Sequence, residues 1–389
     1  MVGIAVAAGL GAPATAEEAL KDVLLVGNSE AGTVSVIDTA GYTNLGSVNA
    51  VPDLAQRLRE MDPLRRIVYE TVKAQKGGDR YIDDLAASPD GRTLYVSRSS
   101  LADVVALDLA APGHPVRWRY PLPGLNADHM ALSPDGSRVV VSASSVAAAF
   151  VLDATSGALV ARVETGDFPH ANDYSADGRH VYNTSIGNVL LPHALNALKG
   201  RRQLTVIDAG SWQVVRSFRL PYGIRPNVVT RDGALMYTQL SYLNGYAKVD
   251  MHTGSVLQQV ELPYSAWARA HFPHPDDYPQ NSAHHGMAIS GDERRLCLAG
   301  TIDNYVAIVS VPEMRTEAVL PSGNLPYWAT TSPDGAHCFV SNSRDHTVSV
   351  IEYAGAREVA RVQVDSFPQR SRLGRLPQQV LNGLSPGGR

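Results

Sequence analysis

The chain has 389 residues, 44% of them hydrophobic and 19% charged, and a net charge of −4. That balance excludes a disordered chain, and its scattered lysines and arginines form no basic stripe, so no nucleic-acid partner is expected. Beyond the N-terminal segment no apolar run approaches the roughly 18 residues of a bilayer span, so no transmembrane segment is expected.

Residues 1–16, MVGIAVAAGLGAPATA, are apolar and end in small residues before Glu17. They resemble the core and cleavage site of a secretory signal that lacks its basic start. The reading is export to the periplasm or cell exterior, with 1–21 a signal remnant or disordered tail and 22–389 a single domain. Residues 22–48 then read as three strands separated by turn residues. Within 52–78, Leu54, Leu58, Met61, Leu64, Val68 and Val72 recur at three- and four-residue spacing, which predicts a helical insertion near 52–76. Asp62 and Pro63 split it, as cap and first helical residue, and Gly77 and Gly78 end it.

A phrase first seen at 86–97, AASPDGRTLYVS, returns as ALSPDGSRVVVS, DYSADGRHVYNT, VVTRDGALMYTQ, AISGDERRLCLA and TTSPDGAHCFVS. Its turn marker falls at Ser88, Ser133, Ser175, Thr230, Ser290 and Ser332, with steps of 42 to 60 residues. In each copy an apolar run enters a tight turn, leaves as an alternating strand, and is followed by two more strands. Four short strands per unit make a propeller blade. Asp90, Asp135, Asp177, Asp232 and Asp334 recur in the turns and are read as structural. The longer units carry insertions at 185–202, with His193, and at 264–284, with Trp267, Arg269, His271, His274, Asp276 and Asp277. Cys297 and Cys338 sit in strand-like runs of different units and are expected to be buried thiols rather than a disulfide or a metal pair. Residues 378–389, QQVLNGLSPGGR, resemble one more turn phrase, with Ser385 as marker. Taken as the missing first strand of the N-terminal unit, they close the ring. The expected fold is therefore an all-β, seven-bladed β-propeller with four-stranded blades and one C-terminal strand joined to three N-terminal ones.

These repeats resemble the YVTN, or YncE-like, propeller family over essentially 22–389. The resemblance implies the fold and leaves function open, because the family holds binding proteins and enzymes alike.

In a propeller the first strand of each blade lines the axis. Counting back five from each marker gives Asp83, Asp128, His170, Arg225, His285, Tyr327 and Val380; counting back four gives Asp84, His129, Ala171, Pro226, Gly286, Trp328 and Leu381. The first set is polar in all but one member, so carboxylates and imidazoles distant in sequence should meet at one mouth of the channel, under the three insertions. Asp83, His129, His170 and His285, with His284 as a substitute, suit a divalent transition metal (Zn, Fe, Mn or Cu). His170 or His285 suits a general base, Arg225 an anion clamp, and Tyr327 stands beside them as a further catalytic candidate. Asp84, Asp128, His284, Trp328 and Trp267 complete the expected ligand-binding set. Arg225 beside His170 is similar in arrangement to seven-bladed lactonases and muconate-lactonising enzymes.

The leading expectation is an exported lyase, isomerase or lactone hydrolase acting on a small anionic molecule. The alternative is a noncatalytic binding protein that presents Trp267, Tyr278 and Trp328 to a ligand or protein partner. A noncovalent haem-like ligand, as in d1-type propellers, is the less favoured cofactor. No P-loop, G-x-G-x-x-G, C-x-x-C-H, H-E-x-x-H or G-x-S-x-G pattern is present.

Overall fold

The computed structural model describes residues 19–386 and forms a ring of seven antiparallel four-stranded sheets. Blades 1 to 6 span 84–121, 127–164, 169–219, 224–261, 286–321 and 326–363. The seventh joins Pro368–Pro377 to Leu20–Asn28, Thr33–Asp38 and Asn44–Asn49, which is the expected one-plus-three closure. The first strand starts at Leu20, just ahead of the expected domain start, and the signal-like residues 1–16 lie outside the described residues.

The recurrent turn is a self-contained lock. Ser88 Oγ donates to Asp90 Oδ1 at 2.5 Å, that oxygen also accepts from the Arg92 amide at 3.1 Å, and Ser88 Oγ accepts from the Thr93 amide at 3.0 Å. Ser133 and Asp135, and Ser175 and Asp177, repeat the arrangement. The repeated aspartates are thus consumed by the turns, as expected. Gly91 is required in its turn: its φ is +67°, and a Cβ there would stand 2.2 Å from the Arg375 carbonyl of the closing strand.

Burial follows strand rank. The third strand of blade 1, Asp103–Asp108, is buried along nearly its whole length, whereas the outermost, Val116–Pro121, alternates between half-buried and exposed. Neighbouring blades share apolar cores, such as the one joining Tyr95, Val104 and Ala106 to Met130, Val139 and Val141. Helices α1 (Leu54–Glu60) and α2 (Pro63–Lys76) form the first insertion, with Asp62 Oδ1 accepting from the Arg65 amide at 2.9 Å and Gly77 at φ +70°. Leu54, Leu58 and Met61 pack on the core between blades 7 and 1, while Leu64 is 74% exposed. The insertion is tied down by wholly buried Arg98, whose Nε meets Asp103 Oδ1 at 2.7 Å and whose Nη1 meets Asp53 Oδ1 at 2.5 Å.

Two expectations are corrected. The closing strand is Pro368–Pro377 rather than 378–389. A short helix α3 spans Ala266–His271 in the third insertion, residues Gln378–Asn382 form a last short helix, α4, and Ser385 bridges Ser47 on the outer edge of blade 7. Val380 is buried in the core between blades 7 and 1 with Leu381 packed against it, so neither reaches the channel. The physical reason is that the turn phrase joins first and second strands, and at the closure those strands come from opposite ends of the chain and need no turn. Cys297 and Cys338 are not free thiols: they form a disulfide that links the second strands of blades 5 and 6.

The bridge closes a loop of 41 residues in sequence. Replacing both cysteines with serine should lower the unfolding free energy by about 2–4 kcal/mol, read as a lower urea midpoint; an unchanged midpoint would count against a stabilising role.

Candidate functional site

The mouth residues are set by the backbone of the inner strands. In blades 2, 3, 4, 6 and 7 the pairing of first and second strands slips by one residue at the mouth end, as where Ala127 pairs Ala143 but Met130 pairs Val141. Each slip is a β-bulge, which lets two consecutive side chains point the same way where a regular strand would send them to opposite faces. Asp128 with His129, Arg225 with Pro226, Tyr327 with Trp328, and Gln369 with Arg370 accordingly all line one cavity. Blades 1 and 5 pair regularly there, and each supplies one lining residue of its expected pair, Asp83 and His285.

The cavity measures about 560 Å³, within the range of small-molecule sites. Its walls carry Val189 and Leu190 of the second insertion and Pro279 and Gln280 of the third. Those two insertions touch: the His193 amide donates to Asp276 Oδ1 at 2.6 Å, and Lys199 Nζ donates to Asn281 Oδ1 at 3.2 Å. The helical insertion stands at the rim, where Arg65 donates to the carbonyls of Gly124 and Leu125.

On one side of the cavity lie Asp83, Asp128, His129 and His170. His129 Nε2 is 3.6 Å from Asp128 Oδ1 and 3.8 Å from Asp83 Oδ2, and the His129 and His170 rings lie 3.9 Å apart. On the other side are Arg225, His285 and Tyr327, the last two stacked with centroids 4.6 Å apart. Burial drives all three imidazoles toward the neutral form, His170 down to about 4, and burial raises the Tyr327 phenol. Both ring nitrogens of His285 lack a hydrogen-bond partner among the described residues.

Arg225 is wholly buried, donates from Nε to Ser241 Oγ at 3.0 Å and from Nη2 to the Gln280 carbonyl, and has no partner for Nη1. Among the described residues no carboxylate forms an ion pair with it. Burial lowers its pKa to about 10, so it stays charged at neutral pH.

The expected residues do not all converge. Asp84 lies below the cavity, fully buried, where Arg372 grips it at 3.0 and 2.8 Å, Arg370 Nε stands 3.2 Å away and the Met130 amide donates at 3.0 Å. Burial pushes its carboxyl up, but these two guanidiniums outweigh that and leave it below the usual range. His284 turns into blade 5, with Nε2 2.9 Å from the Tyr305 hydroxyl. Trp267 is 49% exposed on the lid, stacked on His271. Tyr278 and Trp328 are buried, so the three aromatics expected as a contact patch do not form one. Trp328 instead lines the cavity, with the Arg370 guanidinium 3.6 Å from its ring centroid.

Gln369 and Arg370 escaped the sequence reading because the closing strand was misplaced. A usable signal exists: Phe168-Pro169-His170, Leu325-Pro326-Tyr327 and Phe367-Pro368-Gln369 share an apolar-Pro pair before the mouth residue, and Phe168, Leu325 and Phe367 all adopt positive φ, at 51°, 57° and 60°.

No family model matches the chain, and no curated protein matches it, so the YVTN resemblance rests on the repeat phrases alone. Among solved structures, a chain of hydrazine synthase from Kuenenia stuttgartiensis is similar at 19% identity over 70% of this chain and 95% of that chain, with a TM-score of 0.44. Nothing about the chemistry of the present chain rests on that likeness. No described helix is long and apolar enough to cross a membrane.

The buried imidazoles make stability depend on pH. The unfolded chain takes up protons near pH 6.5, whereas His170 and His284 resist protonation down to about 4 and about 3. Protons therefore favour the unfolded state, and stability present above about pH 6.5 should fall toward pH 4 by about 1.4 kcal/mol per pH unit for each such imidazole. Urea unfolding across that range checks this, and His170→Asn should make the slope shallower by about one proton.

Proposed function

We propose that the mouth cavity binds a small organic anion and that the chain is a lyase, isomerase or lactone hydrolase acting on it. The observation that carries this reading is Arg225. A guanidinium taken wholly out of water is costly unless an anion pairs with it. Arg98 illustrates the usual solution, with a carboxylate on each side. Arg225 has none, its Nη1 is unused, and it lines the cavity. A carboxylate or enolate of the ligand supplies the missing charge. Arg80, Arg344 and Arg370 line the same cavity and add to a field that attracts anions.

The residues around Arg225 fit proton transfer. His285 is neutral, with both nitrogens available, and stacks on Tyr327, whose phenol stays protonated. A neutral imidazole with a depressed pKa is a weak base in the empty site; an anion bound beside it favours the imidazolium and raises its basicity. His285 then accepts a proton from the ligand and Tyr327 donates to the developing oxyanion, with Arg225 holding the charge. The disulfide and the signal-like start support export to an oxidising compartment.

Binding is tested by calorimetry with succinate, maleate, inorganic phosphate and γ-butyrolactone as probes, alongside turnover assays on hydroxy acids and lactones. At least one carboxylate should bind, and Arg225→Gln should weaken it by about 10-fold to 100-fold, the worth of a charge-assisted hydrogen bond. An Arg225→Gln variant that binds the same probe as tightly as the parent refutes the anchor. His285→Asn should abolish turnover while leaving binding within a few-fold; binding without turnover on any substrate selects the noncatalytic reading.

A further inference from the structure

The acidic side of the cavity has chemistry that the anion anchor leaves unused. Asp128, His129 and His170 each present a donor atom, and the three donors lie within 4.8 Å of one another. Two consecutive residues of a bulge in blade 2 supply the first two, and the bulge of blade 3 supplies the third. No helix or flexible loop is involved, so the set is held by sheet backbone on both sides.

We propose that Asp128, His129 and His170 form a three-ligand site for a divalent first-row transition metal ion, with its remaining coordination positions open to the cavity.

Three observations carry this. First, the imidazoles are buried and under-satisfied: His129 Nδ1 and His170 Nδ1 have no hydrogen-bond partner among the described residues, and the rings meet edge-on with centroids 3.9 Å apart. Second, two carboxylates flank one of the imidazoles. Arg372 pairs with Asp84 at 2.8 Å and reaches Asp173 at 3.4 Å, so its charge is engaged below the cavity. Among the described residues Asp128 makes its one ion-pair contact with His129, 3.6 Å from Nε2, and Asp83 stands on the other flank of the same ring nitrogen at 3.8 Å. A cation placed among that ring nitrogen and the two carboxylates is attracted by all three. Third, the donors are close. Ligand bonds of about 2.1 Å at tetrahedral angles hold donors about 3.4 Å apart, so side-chain shifts of about 1.4 Å or less bring a set that lies within 4.8 Å onto one ion.

Two imidazoles and one carboxylate on one side of an ion, with open positions opposite, is an arrangement that binds Zn²⁺ or Fe²⁺ while leaving room for water or ligand oxygen. Asp83 lies where it can accept a hydrogen bond from water on the ion. His285, expected to be a ligand on sequence, falls outside the cluster and stays with Arg225 and Tyr327.

The site is independent of the anion reading, and its test uses metal alone. Tag-free protein stripped with a chelator is titrated with Zn²⁺ and, separately, Co²⁺; bound metal is counted after desalting, and Co²⁺ is followed by its visible absorption. One ion per chain is expected, bound in the micromolar range or tighter, with a Co²⁺ spectrum of mixed nitrogen and oxygen ligation. His129→Gln and Asp128→Asn should each weaken binding by about 100-fold or more, while Arg225→Gln should retain the ion. Should the ligand variants fail to fold, paramagnetic shifts of the His129 and His170 imidazole resonances in the Co²⁺-loaded parent chain give the same answer. Folded parent protein that takes up neither ion, His129→Gln binding as the parent does, or shifts confined to other histidines would overturn the site.

Discussion

The pairing of Pro368–Pro377 with Leu20–Asn28 is the constraint on which the rest of the molecule depends. It removes the two free sheet edges that an open array would expose, through a ladder of backbone hydrogen bonds between the two ends of the chain. The same strand also delivers Arg370 and Arg372 to the axis. From there Arg372 reaches Asp84 of blade 1, the Met130 carbonyl of blade 2 and Asp173 of blade 3, so one side chain bridges four blades below the cavity. Closure and axial chemistry are therefore a single event: without the last strand the ring lacks both its latch and the cations that balance Asp84 and Asp173.

What could be read in the sequence follows from how local each device is. The Ser-x-Asp-Gly turns are locked by side chain to backbone bonds within five residues, so each copy is complete in its own phrase and the blade count follows. The Asp62-Pro63 helix boundary is equally local. The closing strand is the opposite case, because its neighbour in the sheet lies at the other end of the chain and no turn residues mark it; the turn-like 378–389 drew the assignment away from it. The disulfide needed knowledge that the second strands of blades 5 and 6 face each other at Cys297 and Cys338, which periodicity within a strand does not supply. The bulges are hidden for a related reason. One extra residue in a strand changes no composition, yet it decides that both Asp128 and His129 reach the cavity whereas only Asp83, and not Asp84, does so in blade 1.

The cavity also shows how burial sorts groups of the same chemical type. Arg98, Arg370 and Arg225 are all removed from water. Arg98 is clamped by two carboxylates and fastens an insertion; Arg370 lies on the Trp328 face and beside Asp84; Arg225 faces the cavity with a spare donor and no carboxylate. The cost of desolvation is similar in kind for each, and Arg225 is the one of the three with no carboxylate beside it among the described residues. Histidines divide the same way. His284 spends a nitrogen on Tyr305 inside blade 5, while its neighbour His285 spends neither.

This division makes the cavity polar across its width. Asp83, Asp128, His129 and His170 come from blades 1 to 3, and Arg225, His285 and Tyr327 come from blades 4 to 6, because the inner strands are arranged around the axis in chain order. A ligand in the cavity meets a cation-seeking wall on one side and an anion-seeking wall on the other. A small molecule with an anionic end for Arg225 and a hydrogen-bond donor or cationic end for the carboxylates opposite satisfies both sides at once, and at these buried side chains each of those contacts is stronger than it would be at the surface.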